Sequence, residues 1–512
     1  MTKFVQFLFL AFFISFPAVI ARAFPADTTV VAGKKYDKSF LHHLFFGKHY
    51  RKAWAEPVTV TFLNLQTEAG GLKPFLKGGS YQTKNLRMVN PEGREYVLRS
   101  IDKDPSQSLS PEVRNSIIGR LVRDQTSVIH PYGAFIVPPL AKAAGIYHTN
   151  PKLFVVPDDP ALGEFRTEFA NMLVLLEERP EGDQRNAENF GNSEEVVSSR
   201  KMFGKLVADN KNRVDARAYL RARLFDMWIG DWSRREDQWR WASYELPGKG
   251  RKYVGIPRDR DHAFFKFDDG IITWLASKYS NNLQSFGKNI KNLDGLNKTA
   301  APMDNSLLVF LTREDFKQIG DSLKMQLTDE VIENAVRSWP PNIYALTGKE
   351  FEKKLKNRRD QLPKVAEKYY EILAKDVKIP GTDEEEIFRL TYKGKELLVE
   401  MLRPAKKDKP EQLIASRTFK RSETKKLKIY GLGDEDLFEI RGEGKTVKRV
   451  RLYDGEDQDS VSFSATKIRR IKFMDSGDGN MVPNAKLLKV IPYDPKADEF
   501  SGDGWLLRHR LY

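Results

Sequence analysis

Residues 224–267 constrain the fold more than any other stretch, because apolar runs there alternate with two acidic clusters. The stretch reads LFDMWIGDWSRREDQWRWASYELPGKGRKYVGIPRDRDHAFFKF, with GDWSRRED at 230–237 and RDRDH at 258–262. A buried carboxylate destabilises a fold unless it is hydrogen-bonded, paired with a cation or bound to a metal. Acids placed among four tryptophans therefore indicate a built site.

Two structural interpretations of this stretch stay open beside the functional one. In one, the charges form an Arg–Asp ion-pair network that locks a helix to a hairpin. Alternatively, the aromatic residues are ordinary core with charged edges. In both, the charges serve the fold and bind no ligand.

The amino terminus predicts export. Residues 1–23 combine an early Lys3, an apolar core and Ala21-Arg22-Ala23, the small-x-small pattern of a signal peptide cleaved before Phe24. The chain has no cysteine, which excludes disulfides, thiol metal sites, cysteine catalysis and amino-terminal lipidation. Together these features favour a location in a bacterial periplasm, and association with the outer membrane is the expectation that goes with it.

The charge of the chain is basic but dispersed, with 85 Lys and Arg against 70 Asp and Glu. Dispersed basicity in an exported protein predicts no nucleic-acid partner and favours an anionic lipid surface or an envelope protein. Residues 32–54 are basic and aromatic and include His42, His43 and His49. We expect an amphipathic segment there, packed on the next domain or resting on an interface, in preference to a histidine metal site.

Strand-like alternation begins at Val58 and includes a hairpin around Asn90–Gly93. A glycine turn with Gly78 and Gly79 precedes this hairpin, and the basic residues Arg99 and Lys103 follow it. Glycine turns of this kind let backbone N–H groups approach phosphates, and a nearby cation neutralises their charge. The alternative is an ordinary Gly-Gly hairpin. Glu112, at the start of the next predicted helix, is the candidate acid to pair with the cation.

Further segments complete the secondary-structure prediction. Strands are expected at 152–157 and 169–179, the second ending in a hinge-like Glu177-Glu178, and helices at 112–126, 194–224, 307–333 and 349–375.

After residues 379–386 short β-units follow one another, with Tyr430, Tyr453 and Phe473 at similar spacing. Acidic glycine turns at 431–436, 454–459 and 475–478 are candidate calcium sites, although most such turns bind nothing. The last residues, 502–512, read as a strand.

The region from about Gly70 to Phe267 resembles atypical protein-kinase-like families, especially the spore-coat CotH-like kinases and, more distantly, the HipA type. GDWSRREDQW at 230–239 and IPRDRDHAFF at 256–265 match their catalytic loop and metal motif in order and spacing. The resemblance implies that Asp259, supported by Asp261, holds the magnesium of Mg-ATP and that Arg99 contacts phosphate.

The loop departs from the pattern of that family. Ser233 stands where the loop Asp belongs, Arg235 where a His belongs and Gln238 where Asn is usual. A hydroxyl cannot replace a carboxylate as proton acceptor, and Asp231, two residues away, is the candidate substitute. The resemblance therefore implies a degenerate, non-catalytic module.

A second resemblance covers nearly the whole mature chain. YGLGDEDLFEIRGEG at 430–444 and GWLLRHRLY at 504–512 are similar to the periplasmic region of Gram-negative envelope proteins that precedes an outer-membrane barrel of the surface-antigen type. Some of those proteins carry a metallophosphoesterase in front. No phosphoesterase metal motif is present in this sequence.

The predicted fold class is α+β: a two-lobed, atypical kinase-like domain followed by a β-rich domain of stacked β-units or a sandwich. We expect an exported, envelope-associated binding or assembly module. An active Mg-ATP-dependent kinase is one alternative, and a metal-dependent hydrolase built on Asp231, Asp259, Asp261 and His262 is another. The expected organisation is a signal peptide at 1–23, a basic segment at 24–57, the kinase-like domain at 58–305, a helical lobe or spacer at 306–378 and the β-rich domain at 379–512.

Overall fold

The computed structural model describes residues 26–78, 82–406, 409–477, 479–492 and 501–511. The predicted signal peptide and Gly79 lie outside these residues. The first elements are β1 (Asp27–Val31), α1 (Phe40–Phe46), α2 (Arg51–Ala55) and β2 (Pro57–Thr61), and β1 pairs antiparallel with β2. Across the described ranges, no helix combines the length and apolarity needed to cross a bilayer.

A five-stranded antiparallel sheet follows, in the order β3-β4-β5-β7-β6. Alternate residues such as Leu86, Leu98 and Leu176 pack into one buried cluster, and Arg99 points to the opposite face. The elements of this half are β3 (Lys73–Gly78), β4 (Asn85–Val89), β5 (Glu95–Ser100), α3 (Pro111–Arg114), α4 (Ile117–Asp124), α5 (Val137–Ala143), β6 (Lys152–Val155), α6 (Arg166–Phe169) and β7 (Leu173–Glu178).

The helix expected at 112–126 is wrong as a single element. It is divided into α3 and α4, because the Ser116 side chain accepts the N–H groups of Ile118 and Gly119 and so starts a new helix.

A second sheet, in the order β8-β10-β11-β9, carries the central stretch. Its strands alternate with helices: β8 (Glu195–Ser198), α7 (Ser199–Ala208), β9 (Arg213–Val214), α8 (Ala216–Ile229), β10 (Trp239–Glu245), β11 (Arg251–Pro257) and α9 (Ile271–Tyr279). The continuous helix expected at 194–224 is therefore wrong, because two short strands interrupt it.

The helical body buries α8 against α12 and α15. Arg358 of α15 donates to the backbone oxygens of Met227 (2.7 Å) and Trp228 (2.6 Å), so its buried cation satisfies carbonyls that the end of α8 leaves free. The body contains α10 (Leu293–Leu296), α11 (Ala301–Leu307), α12 (Arg313–Gln326), α13 (Asp329–Arg337), α14 (Pro341–Ile343) and α15 (Lys349–Leu373).

The carboxyl-terminal region is a two-sheet solenoid. One sheet has the order β12-β16-β18-β20-β21 with all neighbours parallel, and the other has the order β15-β14-β13-β17-β19. The chain alternates between them, except where β13 continues into the β14–β15 hairpin at one edge and where the consecutive strands β20 and β21 lie side by side in one sheet. The strands are β12 (Asp376–Pro380), β13 (Ile387–Gly394), β14 (Glu396–Arg403), β15 (Gln412–Lys420), β16 (Lys426–Leu432), β17 (Leu437–Gly444), β18 (Arg449–Gly455), β19 (Ser460–Phe463), β20 (Ile471–Asp475) and β21 (Leu488–Pro492).

The α+β class and the β-rich carboxyl-terminal region are confirmed, and stacked β-units describe the latter. Two details differ from the prediction. Tyr430 and Tyr453 stack at 4.4 Å between ring centroids, but Phe473 aligns with Leu452 and faces the core between the sheets. The expected strand at 502–512 is the helix α16 (Gly502–His509), which Ser501 caps and whose Trp505 packs on Tyr430.

Candidate functional site

The loop after α8 begins at Gly230, whose positive φ of 74° reverses the chain. Asp231 follows and is buried; its Oδ1 accepts the Ser233 N–H at 3.1 Å, and its Oδ2 lies 3.5 Å from Arg234. Burial raises the pKa of Asp231, and the Arg234 cation opposes that effect. The carboxyl group is thus turned inward to shape the loop.

Asp226, within α8, is the centre of a buried charge network. Its carboxylate contacts Arg223 (3.1 Å), Arg234 (3.2 Å) and Arg260 (3.1 Å), and both partners in each pair are nearly inaccessible to solvent. The network joins the helix to the loop and to the acidic motif after β11. Arg223 also contacts Asp304, which accepts the hydroxyl of Tyr219 at 2.7 Å.

The predicted metal aspartate faces the predicted phosphate cation. Arg99 of β5 donates through Nε to Glu177 Oε1 at 2.6 Å and through Nη1 to Asp259 Oδ2 at 3.2 Å. Burial by itself would lower the pKa of Arg99, but the two carboxylates raise it above its usual value. Against the opposing effect of burial, Arg99 and Lys103 hold the pKa of Asp259 well below its usual range. Asp259 is ionised, and its carboxylate is held against the sheet by Arg99.

Asp261 takes part in a second contact between the chain after β5 and the acidic motif after β11. Its carboxylate pairs with Lys103, just after β5, and with His262 Nδ1 at 2.7 Å. Burial, aided by the Lys103 cation, lowers the pKa of His262 to about 4, so the ring is neutral at pH 7. Trp232 lies edge-on to this ring.

Glu112 is not brought to Arg99. It lies exposed on α3, and Glu177 of β7 is the acid that pairs with the cation. The reason is the register of β5 and β7, in which Val97 faces Glu177 and Arg99 faces Leu175. This places Arg99 and Glu177 on the same face of neighbouring strands. Gly78 ends β3.

The three other loop residues that the sequence singled out lie close together in the chain but make different contacts. Ser233 is buried and contributes its backbone N–H to Asp231. Gln238 donates through Nε2 to Asp237 at 3.0 Å, and its buried Oε1 has no hydrogen-bond partner in the described structure. Arg235 is exposed and pairs with Asp237.

A magnesium ion held by Asp259 and Asp261 requires carboxylate oxygens that face it. In this arrangement Asp259 Oδ2 contacts Arg99, and the carboxylate of Asp261 contacts Lys103 and His262. Magnesium binding by Asp259 and Asp261 stays a prediction. Asp231, Asp259, Asp261 and His262 do not form a larger metal-binding group: among the described residues, no cluster of three or more His, Cys, Asp or Glu side chains could hold a metal.

The acidic turns of the solenoid have a structural arrangement. Asp459 Oδ1 accepts the Asp436 N–H at 2.8 Å, and Asn480 Oδ1 accepts the Asp459 N–H at 2.7 Å. Each side chain thus ties its own turn to the preceding one. Calcium binding at these turns stays a prediction, and Asp478 lies outside the described residues.

Sequence reasoning missed Asp226 and Glu177 as members of the site. Asp226 had a readable signal, because it is a lone acid inside the apolar run LFDMWI, where only paired acids are tolerated. Glu177 had none beyond its place at the end of a strand.

Comparisons with known proteins add little to this geometry. No family model matches the chain, and no curated protein does. Among solved structures, the chain is similar to the Helicobacter pylori proinflammatory kinase CtkA, with 10% identity and a TM-score of 0.29 over 56% of this chain and 93% of that one. What the site can do chemically is therefore inferred from the residues of this chain alone.

Proposed function

We propose that this chain is a binding module on a kinase-like scaffold, without efficient phosphoryl transfer. The observation that carries the proposal is the closed set of ion pairs between the sheet and the acidic motif. Asp259 is bound by Arg99 and Asp261 by Lys103, so both acids and both cations that a nucleotide complex would need are already partnered. These ion pairs hold the first sheet and the segment after β5 against the acidic motif after β11.

The catalytic loop supports the same proposal. A general base must come within hydrogen-bond reach of the group that it deprotonates. Ser233 has no carboxylate, and Asp231 is only 2% exposed, with its oxygens directed to Ser233 and Arg234. Neither residue therefore offers an accessible carboxylate to an acceptor hydroxyl.

We further propose that the module acts in the cell envelope with a protein partner at the outer membrane. Export follows from the predicted signal peptide, and the absence of cysteine fits a periplasmic setting. The solenoid supports a binding role because stacked β-units offer extended surfaces to a partner.

An active atypical kinase is the second candidate, and one observation favours it. Asp259 is ionised and has a left-handed backbone conformation (φ 54°), a strained geometry that is enriched at functional sites. Activity would require that Arg99 and Lys103 turn from the acids toward phosphate when nucleotide arrives.

Phosphoryl transfer distinguishes the two candidates. The purified protein is incubated with γ-labelled ATP and magnesium or manganese, beside Asp259→Asn and the exposed control Asp360→Asn. We expect no label on protein, on added acceptor proteins or in free phosphate above the level of Asp259→Asn. Transfer by the wild type and the control that Asp259→Asn lacks would establish the kinase and overturn the binding-only proposal.

A further inference from the structure

Two neighbouring helices present an unusual amount of apolar surface to solvent. Of the twenty exposed large apolar side chains in the described residues, nine lie on α1 and α9. These two helices have only 7 and 9 residues. Single exposed apolar residues are normal, but a concentrated patch marks an interaction site. The patch consists of Phe40, Leu41, Leu44, Phe45, Ile271, Ile272, Trp274, Leu275 and Tyr279.

Helical spacing puts these side chains on one face of each helix. In α1 the exposed residues recur one turn apart, while His42, His43 and Phe46 are half-buried on the other side. In α9 the opposite side carries the buried Thr273. Each helix is therefore anchored by one face, and none of the described residues covers its apolar face.

The two apolar faces are joined at a fixed junction. The end of α1 meets the start of α9 so closely that a side chain at Gly270 would collide with the Gly47 backbone. Asp269 locks the junction by accepting the His49 backbone N–H at 2.8 Å and facing its Nε2 at 3.2 Å. The patch is thus one continuous surface held by the fold.

Positive charge predominates in the segments that carry this patch. Residues 34–48 and 266–291 contain eight lysines against three aspartates, and one of those aspartates is Asp269, which is already paired. Lys38, Lys48, Lys278 and Lys288 are exposed, and Lys278 lies over the Trp274 ring. Aromatic and aliphatic side chains with a lysine rim are the composition of interfacial, membrane-resting helices.

We propose that α1 and α9 together form a docking face for an anionic lipid surface. The apolar side chains enter the boundary between head groups and acyl chains, and the lysines contact anionic head groups. A second copy of the chain fits less well, because two faces with the same lysine rim repel each other. This inference goes beyond the proposed function and does not depend on nucleotide.

Vesicle binding provides the test. The purified protein is floated with vesicles of phosphatidylcholine containing phosphatidylglycerol and with vesicles of phosphatidylcholine alone, at low and high salt. We expect binding to the anionic vesicles, weakened by salt. Trp274 is the exposed tryptophan of the eight in the chain, so brominated lipids should quench its emission.

Two patch variants and a matched control complete the design. Phe40→Ser with Trp274→Ser should weaken vesicle binding by roughly tenfold or more, because both residues belong to the inserted face. Lys278→Glu with Lys288→Glu should remove the preference for anionic lipid. Met325→Ser, at an apolar residue equally exposed on α12, should bind as the wild type does.

Three results would overturn the inference. The first is no binding to anionic vesicles, and the second is binding that both patch variants retain. The third is a dimer that the patch variants dissociate while no vesicle binding occurs, which would assign the face to a second copy. Thermal melting checks that the variants fold, as expected for exposed positions.

Discussion

Asp226 illustrates how one side chain can organise the interior. It compensates Arg223, Arg234 and Arg260 in a region that excludes water. Removing the shared partner of buried cations leaves charge uncompensated, which is far more costly than losing a surface pair.

We therefore expect Asp226→Asn to lower the free energy of unfolding by about 3–5 kcal/mol, measured by urea denaturation. Asp360→Asn, at an exposed carboxylate that pairs with Arg359, should cost less than about 1 kcal/mol. Equal losses in the two variants would show that the buried network does not hold the helix to the loop.

Asp231 should behave differently although it is equally buried. Burial raises its pKa, so the fold gains little from its negative charge, and an amide oxygen can still accept the Ser233 N–H. Asp231→Asn should change the free energy of unfolding by less than about 1 kcal/mol. A loss as large as that of Asp226→Asn would show that Arg234 needs this second carboxylate.

Part of the site was predictable from single residues. The sequence singled out Arg99 or Lys103 as a phosphate cation and Asp259 with Asp261 as a magnesium site, and the structure brings these four residues into contact with one another. Their roles toward phosphate and magnesium stay predictions. It did not predict Glu177 in place of Glu112, because that choice depends on strand register, which no local pattern specifies.

At the scale of elements, the solenoid contains a column of buried acids. Glu386 donates its N–H to Asp436, and Asp436 donates its N–H to Asp459, in successive turns. Burial raises the pKa of Glu386 to about 7, of Asp459 to about 8 and of the nearby Asp454 to about 6, and that of Asp436 is raised as well. The neighbouring carboxylates of Glu384, Asp434, Asp457 and Asp475 raise these pKa values further.

This column predicts a loss of stability with rising pH. Because the folded-state pKa values are raised, the stabilising effect is complete below the ordinary carboxyl range near 4 and disappears as the pH rises through about 6 to 8. We expect the solenoid to lose on the order of 3 kcal/mol between pH 5.5 and 8.5, followed by urea denaturation at each pH. Stability that rises over this window would contradict the protonated column.

Asp459→Asn tests the same column directly. Asn480 already occupies the equivalent place in the next turn and accepts the same type of backbone hydrogen bond, so an amide fits the position. The variant should match the wild type at pH 5.5 and exceed its melting temperature at pH 8.5. A variant with unchanged pH dependence would place the titration elsewhere.

Elements were predictable where local chemistry decides them. Period-two alternation gave the strands of the first sheet and the solenoid. The prediction of one helix at 112–126 was wrong because Ser116 caps a second helix within that range. The prediction of a strand at 502–512 was wrong because Ser501 caps a helix there, whatever the aromatic content of the segment.

At the scale of the molecule, three features lie in different places. They are the ion pairs between the first sheet and the acidic motif after β11, the solenoid with its column of buried acids, and the exposed apolar face on α1 and α9. Only the first is tied to the kinase resemblance. We expect the ion pairs of Arg99 with Asp259 and of Lys103 with Asp261 to stay closed when nucleotide is added.

Calorimetric titration with Mg-ATP, with thermal melting of the same samples, tests most directly whether nucleotide opens these ion pairs. A ligand that binds the folded state raises its melting temperature by mass action. We predict no saturable heat and no shift for the wild type, Asp259→Asn or Asp360→Asn. Saturable binding that needs magnesium and disappears in Asp259→Asn alone would contradict this prediction. It would show that the ion pairs open and that Asp259 belongs to a nucleotide-binding site.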